Sequence, residues 1–105
     1  MIFHPAAEKE FVALPSNIQV RFERAIDALE VNPFTRRSGS DVTKLADLAD
    51  GSTLHRLRVG KRRACYAVVT KTKVVWVLLF EDREVGYGRM IKTSEERYGG
   101  LRPKS

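Results

Sequence analysis

The sequence predicts a single α+β domain: two N-terminal helices packed on one face of a four- to five-stranded, mainly antiparallel sheet. Three observations support this fold. The chain has 105 residues, which suits one compact domain. Apolar residues recur at helical spacing in its first third, whereas β-branched and aromatic residues dominate its second half. The helical pair is therefore expected to cover one sheet face and to leave the other to water or a ligand.

Two amphipathic helices are predicted in the first third of the chain. The first carries apolar residues at helical spacing after Pro5, namely Ala7, Phe11 and Leu14. The second, after Pro15, carries Ile18, Phe22, Ala25, Ile26 and Leu29. Ser16 is expected to cap the second helix, with Gln19 reaching back as in a capping box, and Asn32-Pro33 to end it.

The middle of the chain carries weaker signals. Residues 35–40 have the composition of an exposed loop. Residues 41–49 carry Val42, Leu45 and Leu48 at a spacing compatible with a short third helix or a packed irregular segment. Gly51 marks a break before the strands begin.

Three strands are predicted at Thr53 to Val59, Arg63 to Thr70 and Lys73 to Phe80, joined by turns at residues 59–62 and 70–73. An antiparallel meander is the simplest assembly. Residues 74–80 are apolar on both faces and are expected to form the central strand. A short strand at 86–91 would complete the sheet, and residues 92–105 are expected to be a polar tail outside a domain spanning 1–91.

The charge of the chain favours a polyanionic partner. The net charge is +6, and residues 51–80 hold basic side chains without an acidic one: Arg56, Arg58, Lys61, Arg62, Arg63, Lys71 and Lys73. Because side chains alternate along a strand, Arg56 and Arg58 share a face, and a tight hairpin brings Arg63 to them. Such a cluster suits phosphate, which guanidinium groups bind bidentately.

Other classes of site are poorly supported. Cys65 is the single cysteine, lies in an apolar run and is expected to pack in the core of a protein of the reducing cytoplasm. His4, His55 and Cys65 lack metal-ligand spacing, so neither a metal nor a cofactor is expected. Tyr66 and Trp76 lie in apolar strands and are expected to be core residues. The absence of an apolar run of about 18 residues argues against a membrane protein, and the N-terminal residues do not resemble a secretion signal.

Three motifs in order resemble those of the RelE/ParE toxin superfamily. They are the pair Lys44-Leu45, the segment Leu54-His55-Arg56-Leu57-Arg58-Val59-Gly60-Lys61-Arg62-Arg63-Ala64-Cys65-Tyr66, and the closing Arg83-Glu84-Val85-Gly86-Tyr87. They are similar to a family pattern of "KL", "R-L-R-x-G-x-x-R-x-x-Y" and "R-x-x-x-Y". The resemblance covers residues 1 to 91.

The resemblance implies a toxin of a type II toxin–antitoxin system that cleaves mRNA in the ribosomal A site without a metal. It assigns catalytic roles to Arg56, Arg58, Arg63, Arg83 and Tyr87, with Arg83 on phosphate and Tyr87 stacking on a base or donating a proton. Lys61 and Arg62 would join the hairpin arginines in binding RNA. The implied partners are the mRNA on the ribosome and a cognate antitoxin, expected to be acidic and partly disordered.

The chain departs from the family pattern where a proton acceptor is needed. Some members have lysines on the first hairpin strand, but Arg56 and Arg58 cannot accept a proton near neutral pH. Where others have a histidine before the closing arginine, this chain has Asp82. Glu81, Asp82 or Glu84 could supply the base instead. Two alternatives follow: a toxin of the ParE type that inhibits DNA gyrase without nuclease activity, or a catalytically decayed relative that only binds RNA or its partner.

Overall fold

The computed structural model describes residues 2–31, 41–69, 71–81 and 86–101. Their elements, in chain order, are β1 (Ile2–Phe3), α1 (Pro5–Val12), α2 (Ser16–Val31), β2 (Asp41–Asp47), β3 (Thr53–Val59), β4 (Arg62–Val69), β5 (Val74–Glu81) and α3 (Tyr87–Leu101). The predicted α+β class is confirmed. The expected loop at 35–40 and the helix end at Asn32-Pro33 lie outside the described residues.

One five-stranded sheet, in the order β1-β5-β4-β3-β2, organises the molecule. The strands from β2 to β5 form the predicted antiparallel meander, and β1 pairs in parallel with β5. The three predicted strands match β3, β4 and β5 to within one residue at each end. The middle position belongs to β4, however, because β1 adds to the outer edge of β5. The expectation that residues 74–80 form the central strand was therefore wrong, although that strand is an interior one.

Helices α1 and α2 cover one sheet face, as predicted. Their apolar stripes pack on alternate residues of the strands in a core that includes Ala7, Phe11, Phe22, Leu57, Tyr66, Val77 and Phe80. Phe80 is its aromatic centre, with ring centroids 5.4 Å from Phe11 and 5.1 Å from Phe22 in edge-to-face contacts. The helical spacing in the sequence therefore identified the buried face of both helices.

The start of α2 differs from the predicted capping box. The carbonyl of Pro15 accepts from the amides of Ile18 and Gln19, so the first helical hydrogen bonds begin one residue before Ser16. The Gln19 side chain does reach back, but its Nε2 donates to the carbonyls of Val12, at 3.1 Å, and Leu14, at 2.9 Å. Gln19 thus ties α2 to the end of α1.

Residues 41–47 form strand β2, so the expected short helix or irregular segment was wrong. The strand pairs antiparallel with β3, and its register shifts between Lys44 and Ala46. This bulge breaks the alternation of side chains, so that Leu45 and Ala46 both contact the same core. Val42 instead packs against the core beneath α1 and α2, so the apolar residues at helical spacing do not share one face.

A second core lies on the other sheet face, beneath α3. Its buried residues are Leu48, Leu54, Cys65, Ala67, Leu78, Leu79, Met90 and Tyr98. A bulge opposite Cys65 and Tyr66 turns the consecutive Leu78 and Leu79 to this face. The short strand expected at 86–91 was wrong, because Met90, Ser94 and Tyr98 recur every fourth residue and form the buried stripe of a helix.

Polar contacts hold α3 in place at two points. Arg97 donates to both carboxylate oxygens of Glu10 in α1, at 2.8 and 3.1 Å, and to the carbonyl of Leu78, at 2.8 Å. Tyr98 donates to Asp50 Oδ2 at 2.6 Å, and its hydroxyl lies 3.1 Å from Ser52 Oγ. Residues 92–101, expected to belong to a polar tail, are thus helical and attached to α1, β5 and the β2–β3 turn.

Candidate nucleic-acid interface

The β3–β4 hairpin brings three arginines together. Arg58 pairs directly with Arg63, and Arg56 lies two residues earlier on β3, opposite Cys65. Because side chains alternate along a strand, all three lie on the same sheet face, which we call the arginine face. A two-residue turn links the strands, and Gly60 adopts a φ of +63°, which a residue without a side chain does at little cost. The expected tight hairpin and arginine cluster are present.

The three arginines differ in exposure. Arg58 is exposed, but Arg56 is only 5% and Arg63 only 8% exposed. Arg56 donates to Thr43 Oγ1 at 2.9 Å, and Arg63 to the carbonyl of Lys61 at 3.4 Å. The expectation of an uncovered face was therefore wrong, because α3 packs on this side of the sheet. Arg58 is the member of the cluster most open to a ligand.

Acidic residues flank the arginine pair across the sheet. Glu81 on β5 pairs with Arg63, and Asp41 on β2 pairs with Arg58. The register thus forms a row of Asp41, Arg58, Arg63 and Glu81 across four strands. Opposite charges at paired positions stabilise a sheet by roughly 0.2–1 kcal/mol each. Glu81 opposite Arg63 reduces the like-charge repulsion that the arginines alone would cause, so repulsion by itself does not require an anionic ligand.

Lys61 and Arg62 take different positions from the arginine cluster. Lys61 is exposed in the turn, next to the arginine face. Arg62 is partly buried and pairs with Val59, a core residue beneath α1 and α2. Alternation therefore places Arg62 on the opposite face from Arg63. Of the five residues expected to bind RNA, the fold groups Arg56, Arg58 and Arg63, with Lys61 at their edge.

The closing residues of the motif are only partly described. Arg83 lies outside the described residues. Tyr87 is the first residue of α3, and its side chain lies outside the described part of the structure. Residues 82–86 connect β5 to α3. The assignment of Arg83 and Tyr87 to the site therefore remains a prediction.

The histidines have structural positions away from the arginine face. His55 stacks on Tyr66 with a centroid distance of 5.2 Å, and its Nε2 lies 2.8 Å from Thr53 Oγ1. Burial, aided by the charge of Lys44, lowers the pKa of His55. His4 caps α1, since its Nδ1 accepts from the amide of Ala6 at 3.0 Å. His55 lies on the opposite sheet face from the arginines, because it alternates with Arg56 and pairs with Tyr66 of the core beneath α1 and α2.

Cys65 lies directly between Arg56 and Leu79 in the sheet and is fully buried. Burial raises the pKa of its thiol to about 11, so it is protonated at neutral pH and is a poor nucleophile. Tyr66 is also buried, as expected, and burial raises the pKa of its hydroxyl. Trp76 is partly exposed and packs against the core beneath α3.

Sequence reasoning missed the pairing of Glu81 with Arg63 and the helix that covers the arginine face. The pairing depends on a bulge in the β4–β5 register, which local sequence does not reveal. The helix had a signal in the fourfold spacing of Met90, Ser94 and Tyr98. Among the described residues, no group of three or more His, Cys, Asp and Glu could hold a metal ion. In the same part of the chain, no helix is long and apolar enough to cross a membrane.

The fold and part of the sequence match a solved structure. The chain is similar to RelE in the crystal structure of the archaeal RelE–RelB complex from Pyrococcus horikoshii OT3. The two share 33% sequence identity with a TM-score of 0.69, and the match covers 80% of this chain and 93% of the other. The chain belongs to the RelE family. No protein-family model and no curated protein sequence matches it.

Membership of the RelE family agrees with the resemblance in the hairpin motif. In this RelE-family chain, the segment from Leu54 to Tyr66 forms β3, the Gly60-Lys61 turn and most of β4. The solved relative forms a complex with RelB.

Proposed function

We propose that this chain is the toxin of a type II toxin–antitoxin pair and a ribosome-dependent endoribonuclease that cleaves mRNA in the A site without a metal. The observation that carries the proposal is the arginine cluster on paired strands of a RelE-family fold. Cleavage next to a 2′-OH develops negative charge on the phosphate, and fixed guanidinium groups stabilise such charge. The cognate antitoxin is the proposed protein partner.

Each side chain has a separate role in the proposed reaction. Arg58 is exposed and makes the direct contact with the scissile phosphate. Arg63, paired with Arg58, and Arg56, held by Thr43, add positive charge behind it. Arg83 contacts phosphate, and Tyr87 stacks on a base or protonates the leaving 5′ oxygen.

Glu81 is the proposed acceptor of the 2′-OH proton. It is partly exposed at the end of β5, on the arginine face and paired with Arg63. Cys65 pairs with Arg56 on one side and with Leu79 on the other, and Glu81 lies two residues beyond Leu79 on the same sheet face. The arginines cannot take this role, because a guanidinium group does not give up its proton in proteins.

The test is a cleavage assay with purified chain, 70S ribosomes and a defined mRNA, read by primer extension. We expect cuts at the codon in the A site, and none on the same mRNA without ribosomes. An intact transcript under translational arrest would contradict the nuclease proposal. In parallel, expression of the chain should arrest growth, and co-expression of the neighbouring antitoxin gene should restore it.

One observation favours a second candidate. Because Arg56 and Arg63 are less than a tenth exposed, they could instead stabilise the sheet, and a toxin without nuclease activity would then act through protein contacts. Inhibition of DNA gyrase in a supercoiling assay, together with intact mRNA, would support this alternative. Unchanged supercoiling at saturating toxin would exclude it.

A further inference from the structure

A groove of about 710 Å³ lies on the helical side of the molecule. It is bounded by β1, α1 and α2, and its apolar lining comprises Ile2, Phe3, Phe11, Val12 and Ile26. None of these residues belongs to the arginine face. The proposed nuclease reaction makes no use of this groove.

Large apolar side chains are exposed to solvent at this groove. Large hydrophobic residues that are exposed in the described part of the chain are Ile2, at 44%, Val12, at 70%, and Val20, at 45%. Two of them, Ile2 and Val12, line the groove. A ligand that covers them would remove apolar surface from water, which stabilises a complex.

The charged residues among the described lining of the groove are acidic, and Gln19 is a neutral polar residue there. Glu8, Glu23 and Asp27 are exposed there, and the described lining residues include neither lysine nor arginine. This local charge opposes the net charge of +6 of the whole chain. Three carboxylates repel phosphate, so the groove does not suit RNA or DNA, and they attract lysine or arginine.

A second copy of this chain is a poor occupant. Its complementary basic residues, such as Arg58 and Lys61, lie on the hairpin and not in the groove. A groove that bound the hairpin of another copy would form a head-to-tail contact that leaves a free groove at each step. Such contacts close only into rings or continue as filaments.

We propose that this groove binds an amphipathic helix of a partner protein, with lysine or arginine beside its apolar face. A groove between two helices accepts the apolar stripe of a third, with side chains at positions i, i+3, i+4 and i+7. Basic residues on either side of that stripe would meet Glu23 and Asp27 on α2 and Glu8 on α1. The arginine face is basic and therefore favours an acidic ligand. A polypeptide that covers both the groove and the arginine face needs a basic segment for the groove and an acidic segment for the arginine face.

The test uses a capped amphipathic peptide of leucine and lysine with helical periodicity, titrated into ¹⁵N-labelled chain. We expect amide shifts to concentrate on β1, α1 and α2. The double variant Glu23→Lys/Asp27→Lys should raise the dissociation constant of the peptide about tenfold or more. Two attractions between carboxylates and peptide lysines become repulsions between lysines in this variant. Its matched control is Glu95→Lys/Glu96→Lys, with the same change of charge at exposed positions of α3.

Three results would overturn the proposal. Equal weakening in both double variants would show that only net charge matters. If a peptide of leucine and glutamate bound as tightly as the peptide of leucine and lysine, the carboxylates of the groove would not select for basic residues. Peptide-induced shifts centred on the arginine face would place the binding elsewhere. Circular dichroism confirms that each variant is folded, and Val12→Ser, at a 70% exposed site, tests the apolar contribution separately by an expected loss of affinity.

Discussion

The three arginines of the hairpin cluster differ in solvent exposure. Arg56 and Arg63 are buried, whereas Arg58 is exposed. All three side chains carry the same guanidinium group, so their roles differ because of their solvent exposure and their neighbouring residues. Arg58 is suited to contact a phosphate directly, and the buried pair to maintain the charge around it.

Replacement of Arg58 by alanine should lower the rate of ribosome-dependent cleavage by about 10²–10³-fold, the usual loss for one charge-stabilising donor. The fold should persist, because Arg58 is exposed. Single-turnover rates on programmed ribosomes measure the effect. Lys71→Ala, an exposed basic residue in the β4–β5 turn, is the control and should cleave at the rate of the parent chain.

Replacement of Glu81 by glutamine should lower the cleavage rate by about 10²–10⁴-fold if this carboxylate accepts the 2′-OH proton. Glu96→Gln, exposed on α3, provides the comparison. A Glu81→Gln variant that cleaves at the parent rate would remove Glu81 from the mechanism, and Asp82 and Glu84 would remain as candidates for the base.

At the scale of elements, α3 determines the form of the arginine face. It covers the core around Cys65 and Leu79 and is attached by Arg97 and Tyr98 to other parts of the chain. Its backbone begins at Tyr87, so the same helix that buries part of the arginine face also carries the last residue of the motif. The stability of α3 therefore bears on the geometry of the proposed site.

Replacement of Arg97 by methionine should destabilise the fold by about 1–3 kcal/mol, because charge-assisted hydrogen bonds to Glu10 and to the Leu78 carbonyl are lost. Urea unfolding of the purified variant measures the change. Lys92→Met is the matched control, since Lys92 is exposed on the same helix and should shift the midpoint little. Equal stability of both variants would contradict an attachment of α3 through Arg97.

For the molecule as a whole, two surfaces of opposite chemistry coexist on one basic chain. The sheet carries the basic hairpin, and the helical side carries an acidic and apolar groove. The net charge of +6 therefore describes neither surface by itself.

The stability of the whole molecule also depends on pH, since the folded state holds two histidines whose pKa values are lowered mainly by burial.

The free energy of unfolding should fall as pH decreases below about 6.5, the ordinary histidine pKa in the unfolded chain. Between that value and the lower folded-state pKa, the unfolded chain binds more protons, so acid favours unfolding. Urea titrations between pH 7.5 and 5.5 test this. His55→Gln should reduce the slope, because His55 is 4% exposed and stacked on Tyr66. An unchanged slope would show that His55 does not contribute.

By itself, the sequence determined the α+β class, both N-terminal helices, the hairpin strands and the arginine cluster. These features depend on local periodicity and on the two-residue turn at Gly60, so they can be recognised without knowledge of distant contacts. Only the tertiary structure decided that residues 41–47 are a strand, that α3 covers the arginine face, that Arg63 is buried, and that Glu81 lies opposite it. The physical reason is that bulges shift the strand register and that burial depends on which element packs on a sheet face. Both depend on partners remote in the chain.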